Sequence, residues 1–336
     1  MTRLAAAAAA LAAVAACRGH RTVPAGARVG PALAAALSAA EAVREPWRCA
    51  APDGPGAPEE SLAIGGHTWR IAGHALVLDP AGGMGDRGVA IGVVADAAGS
   101  APATLAALRR LRDRLAHVDL MVTLGGMGAT AAELDAVFAV LADRAPWPLV
   151  ALPGDLEPVP AQVAAIAAAR KRNAPVFDGR LVQRIELPGA TIAVVPGAAA
   201  ASRLGAGPDG CRYRPADATA AFADLTPRPG LRILASAEPP RDGGELPAGE
   251  LAVTAGAGEQ IDVALHGPSR EAATPACRGG RDGAAVAVTP GTSDATARLP
   301  EMREMRDPRD LGRAATAGVL TVRGGAWTWQ PVDDTP

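Results

Sequence analysis

The stretch Pro148-Leu149-Val150-Ala151-Leu152-Pro153-Gly154-Asp155-Leu156-Glu157 sets the terms on which the rest of the chain is read. Leu149 to Leu152 is a short apolar run, the pattern of a strand with both faces buried. Pro153-Gly154 then turns the chain. Asp155 and Glu157 follow at the strand's end, where short polar side chains are aimed into a site. Leu156 stands between them, and a leucine cannot ligate a metal.

The same order of elements extends outward from this turn. Upstream, Val89 to Ala95 is a continuous apolar run ending at Asp96, and Val118 to Leu124 is a second run ending in Gly125-Gly126. Between them, Leu105, Leu108, Leu111 and Leu115 share one face of a helix predicted over Pro102 to Ala116. Thr130 to Asp143 and Gln162 to Arg172 are the next predicted helices. Thr68 to Ile71 and Ala75 to Leu78 are short strand candidates suited to a hairpin. Strands alternating with helices, each strand ending in a polar or Gly-rich turn, predict an α/β domain whose ligands gather at the strand ends. Beyond Val176 the pattern is strand-rich, closing in a hairpin, Val319 to Arg323 and Ala326 to Gln330, across Gly324-Gly325. Trp327 and Trp329 share one face of that hairpin and are read as packing residues or a surface ledge.

The 336 residues are 49% hydrophobic with a formal net charge of -2, which fits a sizeable core and gives no basic patch for nucleic acid. Arg3 followed by the apolar stretch Leu4 to Ala16 reads as an export signal, too short to span a bilayer as a helix. Small residues immediately before Cys17 resemble a bacterial lipobox, which implies cleavage before Cys17 and its lipidation; an ordinary signal peptide with a chance cysteine and a frayed cytoplasmic helix are the alternatives. The expected organisation is a signal peptide over 1–16, then a lipidated cysteine, tether, short helix and Pro/Gly linker over 17–60, then the α/β domain over 61–336. Membrane attachment through the lipid is the expected partner contact. The expected location is the bacterial cell envelope, at the outer membrane facing the periplasm or surface, because Arg18 and not Asp follows Cys17. Export exposes the cysteines to an oxidising compartment. With Cys17 set aside, Cys49, Cys211 and Cys277 are odd in number, and Cys211 with Cys277, both in Gly/Arg-rich loops, is the favoured pair.

Five strand-end turns taken together resemble the calcineurin-like metallophosphoesterase family over roughly Val89 to Pro300. The resemblance implies a four-layer α/β/β/α sandwich, and a pair of metal ions held on turns of the form D-x-H, G-D, G-N-H, H and G-H-x-H. Such a pair, about 3.5–4 Å apart, clamps a phosphate and supplies hydroxide at neutral pH. Here the first turn keeps Asp96 but has Ala98 for its His. Gly126 replaces the bridging Asp of the second. The third has Asp155 and Leu156 for Asn and His, the fourth Ala237 for His, and the fifth, after Leu265-His266-Gly267, has Pro268 and Arg270 for both histidines.

With those ligands lost, no catalytic residue and no cofactor is expected. At most one weakly bound divalent cation would sit on Asp96 and Asp155, with Glu157 beside them, since a hard cation accepts oxygen ligands alone. Arg270 is a candidate to fill the charge hole beside Asp96 and Asp155, or else a solvated loop residue. His266 is not in a ligand slot and is read as structural or solvent-facing. The glycine-rich Gly82 to Gly85 and Gly125 to Gly128 fit no phosphate-cradling fingerprint and are read as flexible loops. The implied function is an exported lipoprotein with a catalytically inactive, metallophosphoesterase-like domain, acting as a scaffold or by binding an unidentified protein or small phosphate-containing ligand. The alternative is an active metal-dependent phosphoesterase with atypical ligands.

Overall fold

A single helix and an antiparallel meander precede the α/β unit. The computed structural model describes residues 29–80, 88–201, 204–225, 227–238, 261–267, 276–278, 286–289 and 316–334. Helix α1 (Pro31–Ala42) is followed by β1 (Ala57–Ile64), β2 (His67–Gly73) and β3 (Ala75–Leu78), each antiparallel to the next. Then come β4 (Val89–Val94), α2 (Pro102–Arg114), β5 (Leu120–Leu124), α3 (Ala131–Ala142), β6 (Leu149–Leu152), α4 (Val159–Lys171) and β7 (Val176–Asp178). These four strands pair in parallel, in chain order, as continuous apolar runs buried on both faces require. The remaining elements are β8 (Arg184–Leu187), β9 (Ala190–Val195), α5 (Pro215–Leu225), β10 (Leu231–Ser236), β11 (Val263–His266), β12 (Ala276–Arg278), β13 (Val286–Thr289), β14 (Thr316–Arg323) and β15 (Ala326–Asp333).

Two sheets result. One runs β15-β14-β4-β5-β6-β7, the other β1-β2-β3-β8-β9-β10-β11-β13-β12. Side chains alternate across a strand, and the burial follows that alternation. Ile91, Val93, Val122 and Val150 from the first sheet pack with Ile71, Leu76, Ile192 and Ile233 from the second in the central core. The opposite face of the first sheet, through Val94, Met121 and Leu149, packs under Leu108, Leu111, Leu134 and Phe138 of α2 and α3. On the outer face of the second sheet, Ala193, Val195 and Leu234 meet Ala218, Phe222 and Leu225 of α5. The layers are therefore helix, sheet, sheet, helix.

Local chemistry sets the element ends. Thr130 and Glu133 form a reciprocal capping box that starts α3. α4 begins three residues ahead of the predicted Gln162, because Pro158 and Pro160 fall in the cap and first turn, where a missing N–H is tolerated. α5 was not predicted, although the Ala-rich run after Pro215 is a helix-start signal. Trp327 and Trp329 pack against the central core, and the Trp329 ring lies where a Cβ on Gly318 would sit.

The segment read as a short helix and linker is pinned. Leu33 and Leu37 of α1 are buried in the central core. At the end of α1, Glu41 receives a bidentate ion pair from Arg170 of α4, with N–O distances of 2.9 and 2.6 Å. Cys49 then bonds Cys211, not Cys277, which corrects the predicted disulfide. Backbone pairing explains the choice: Arg212 N donates to Pro46 O at 2.8 Å, and Cys49 N to Arg212 O at 2.7 Å, which lays the two segments side by side. Cys277 lies on β12. Residues 1–28, which hold Cys17 and the stretch expected to be a signal peptide, lie outside the described residues. Among the described residues no helix is long and apolar enough to cross a membrane.

Candidate functional site

Register brings the strand ends level, with Leu124 opposite Leu152 in one sheet and Ser236 opposite His266 in the other. Four of the five turns singled out in the sequence consequently meet, together with Gly267 at the start of the fifth. Asp96 N donates to Gly125 O at 2.9 Å, Ala98 N to Gly126 O at 2.8 Å and Gly99 N to Met127 O at 3.1 Å, so the first two turns are zipped together. A Cβ placed on Gly125 would lie 2.5 Å from Gly154 Cα and 3.3 Å from Ala237 Cβ. One placed on Gly267 would lie 2.5 Å from Ala237 O and 2.7 Å from Leu124 O. The contact is backbone against backbone, and only glycines allow it.

Gly126, in the slot of the bridging aspartate, shows why that residue type is absent. Its φ is +71°, a left-handed value that side chains disfavour, and a Cβ there would lie 2.9 Å from Asp96 Cα. Asp96 is itself left-handed, at φ 54°. Asp155 is half-buried, and its carbonyl accepts Ala206 N at 3.0 Å. Leu156 turns toward the same loop, 3.2 Å from where a Cβ on Gly205 would be.

Glu157 occupies the centre. It is fully buried, at 0% exposure. One carboxylate oxygen accepts Gly154 N at 2.8 Å and the other accepts Met127 N. Burial pushes this carboxyl up to about 7, against the downward pull of the amides of Met127, Gly154, Glu157 and Gly126. The Gly125 to Gly128 loop, read as flexible from its composition, is thus an ordered amide-bearing turn. The sequence signal was present in the spacing: a Glu three residues after Gly154 reaches back to its amide.

These residues do not fit a pair of metal ions. A cation needs donor lone pairs, and Gly126, Leu156 and Ala237, which stand in ligand slots, have no donor side chain. Among the described residues no group of three or more His, Cys, Asp or Glu is placed to hold a metal ion. His266 Nδ1 lies 2.7 Å from Gly267 O, and His67 pairs with Asp119 at 3.3 Å. Arg270 lies outside the described residues, as do Pro268 and Gly82 to Gly85.

Two polar groupings that the sequence did not indicate lie at the ends of β10 and β7. Tyr213 donates to Glu238 at 2.6 Å, just past the end of β10, and Ala199 N donates to the same oxygen at 3.2 Å. At the end of β7, Asp178 and Arg180 form a wholly buried ion pair at 2.7 Å. A cavity of about 170 Å³ lies elsewhere, between α5 and β8, and is lined by His74, Gln183, Arg184, Asp217, Asp224 and Leu225. Its charges are already engaged: Arg184 bonds Asp224 and Glu186, and Asp217 bonds Arg48.

No family model and no curated protein matches the sequence. Solved structures do. The chain is similar to a dimetal phosphatase from Danio rerio, at 11% identity and a TM-score of 0.51, over 74% of this chain and 98% of that one. It is also similar to the purple acid phosphatase PPD1 from yellow lupin seeds, at 9% identity and a TM-score of 0.51, over 82% of this chain and 57% of that one. At these identities the likeness is one of fold. The architecture is the α/β/β/α sandwich of the calcineurin-like metallophosphoesterase type.

Proposed function

We propose that this chain is an exported lipoprotein whose metallophosphoesterase-like domain is non-catalytic and acts by binding a partner protein or a small phosphate-containing ligand, or as a scaffold. The observation that carries this reading is the loss of donor side chains where the strand-end turns meet: Gly126, Leu156 and Ala237 stand in ligand slots, and among the described residues no group of three or more His, Cys, Asp or Glu is placed to hold a metal ion. A dimetal hydrolase needs such ligands. Export is supported by the Cys49–Cys211 disulfide, since such bonds persist in oxidising compartments. Lipid attachment rests on Cys17 and the small residues before it.

Metal analysis of the purified protein tests the reading directly. The expected result is far below one equivalent of transition metal, with no hydrolysis of bis-p-nitrophenyl phosphate. Recovery of about two equivalents, or hydrolysis abolished by Asp96→Asn, would overturn it.

A further inference from the structure

The loop Ala50 to Gly56, with two prolines and two glycines, runs from the Cys49–Cys211 disulfide to the start of β1. Its carbonyls are held by side chains of the domain. Arg44, buried just past α1, donates to Ala51 O and to Pro55 O at 3.1 Å each. Gln183 donates to Ala51 O at 2.9 Å, and His74 Nε2 lies 3.0 Å from Gly54 O. Pro52, in the middle of the loop, lines the cavity between α5 and β8 together with His74 and Gln183. Of the three clamping side chains, His74 alone titrates near physiological pH. Because Nε2 faces a carbonyl, it carries the proton of the neutral ring, and Nδ1 is left as an acceptor. Nδ1 faces a donor, Arg44 Nη2, and an acceptor, Leu181 O, both at 3.2 Å. The neutral ring can accept from Arg44, whereas an imidazolium must donate to Leu181 O and sets its charge against the guanidinium.

The charged groups around the ring offer no relief. Arg44 faces it from the end of α1 and Arg184 from β8. Asp217 and Asp224, which line the cavity from α5, are bonded to Arg48 and Arg184. Asp53 on the loop is bonded to Arg48, and Asp178 and Glu41, near Arg44, to Arg180 and Arg170. Burial, and then the Arg44 charge, hold the imidazole below its ordinary range, against the pull of the Leu181 and Gly54 carbonyls. We propose that Ala50 to Gly56 is an acid-operated lid on the α5–β8 cavity, with the Arg44–His74 contact as its latch. At neutral pH Arg44 bonds the ring and clasps the loop. Protonation of the ring repels Arg44 together with the two carbonyls it holds, and Pro52 leaves the cavity wall. The ends of the lid stay fixed, by the disulfide at Cys49 and by Gly56, where a Cβ would lie 2.6 Å from Gly73 Cα. The stability this contact contributes is fully present above about pH 6.5 and is lost as pH falls through the lower value of the folded ring.

Backbone NMR order parameters of the intact, oxidised protein test the lid between pH 7.5 and 4.5. In wild type, the amides of Ala51, Asp53, Gly54 and Gly56 should fall from about 0.85 to below about 0.6, while those within β9 and β10 stay unchanged. His74→Gln keeps a donor for Gly54 O and an acceptor for Arg44 but does not titrate, so its loop should stay ordered across the whole range. Should that variant fail to fold, wild type alone decides, because the midpoint of loosening has to coincide with the titration of the His74 ring followed by its own NMR signals. Order that persists to pH 4.5, loosening at a pH where His74 does not titrate, or equal loosening in His74→Gln overturns the proposal.

Discussion

At the scale of single residues, Glu157 shows how burial and hydrogen bonding divide the control of one carboxyl. Desolvation favours its neutral form more than the surrounding amides favour its charged form, which places it at about 7 against an ordinary value of 4.5. The folded state therefore holds a proton between those two values that the unfolded chain has released. That proton contributes stability fully below about 4.5, and the contribution is lost as pH rises through about 7. The full span is up to ~3 kcal/mol, at about 1.4 kcal/mol for each pH unit. Urea unfolding of wild type and Glu157→Gln at pH 5, 6, 7 and 8 measures it. Wild type should lose stability relative to the variant as pH rises, and a flat difference would show that burial does not govern this group. The role of Glu157 was half legible in the sequence. Its place after a strand-end turn could be read, but the direction in which its carboxylate points depends on which backbone amides surround it.

At the scale of elements, α1 is joined to α4 by an ion pair that neither helix announces. Glu41 and Arg170 lie 129 residues apart, and both side chains are almost wholly buried. Burial pushes the Glu41 carboxyl up, partly offset by the Arg170 charge beside it. Removing one partner strands the other charge in the core, so Glu41→Ala and Arg170→Ala are each expected to cost about 3–5 kcal/mol. The double replacement Glu41→Leu with Arg170→Met should recover most of that loss, because apolar packing often equals a buried pair. Chemical denaturation of the three variants checks this, and additive losses in the double variant would count against it. The strands and helices from Val89 to Arg172 were readable because their apolar periods are strong. α5 was overlooked because its alanines carry little periodic contrast, and it is the face of the second sheet that makes Ala218 and Phe222 core residues.

At the scale of the whole molecule, the Cys49–Cys211 bond closes a loop of 162 residues and ties the N-terminal segment to the stretch just ahead of α5. Chain-entropy estimates for so long a loop give on the order of 5 kcal/mol. Cys49→Ser and Cys211→Ser should each lower stability by a similar amount under oxidising conditions, and dithiothreitol should do the same to the wild type. Cys277→Ser should leave unfolding unchanged. Loss of stability in Cys211→Ser and Cys277→Ser, with none in Cys49→Ser, would restore the pairing favoured from the sequence. That pairing failed for a plain reason: loop composition says nothing about which segments lie side by side, and the pairing of Cys49 and Arg212 through their backbones does.

The sequence by itself determined the layered α/β architecture and the places where a site would lie, because apolar periodicity and turn chemistry are local properties of the chain. It also determined that the ligand types of a metal pair are missing from the turns, since Gly126, Leu156 and Ala237 have no donor side chains. Only the tertiary structure decided what stands at the convergence of those turns. Strand register levels the turns, glycines let their backbones touch, and amides from two different loops enclose one carboxylate. Each of these depends on contacts between residues distant in the chain, and the polarity of the centre follows from them.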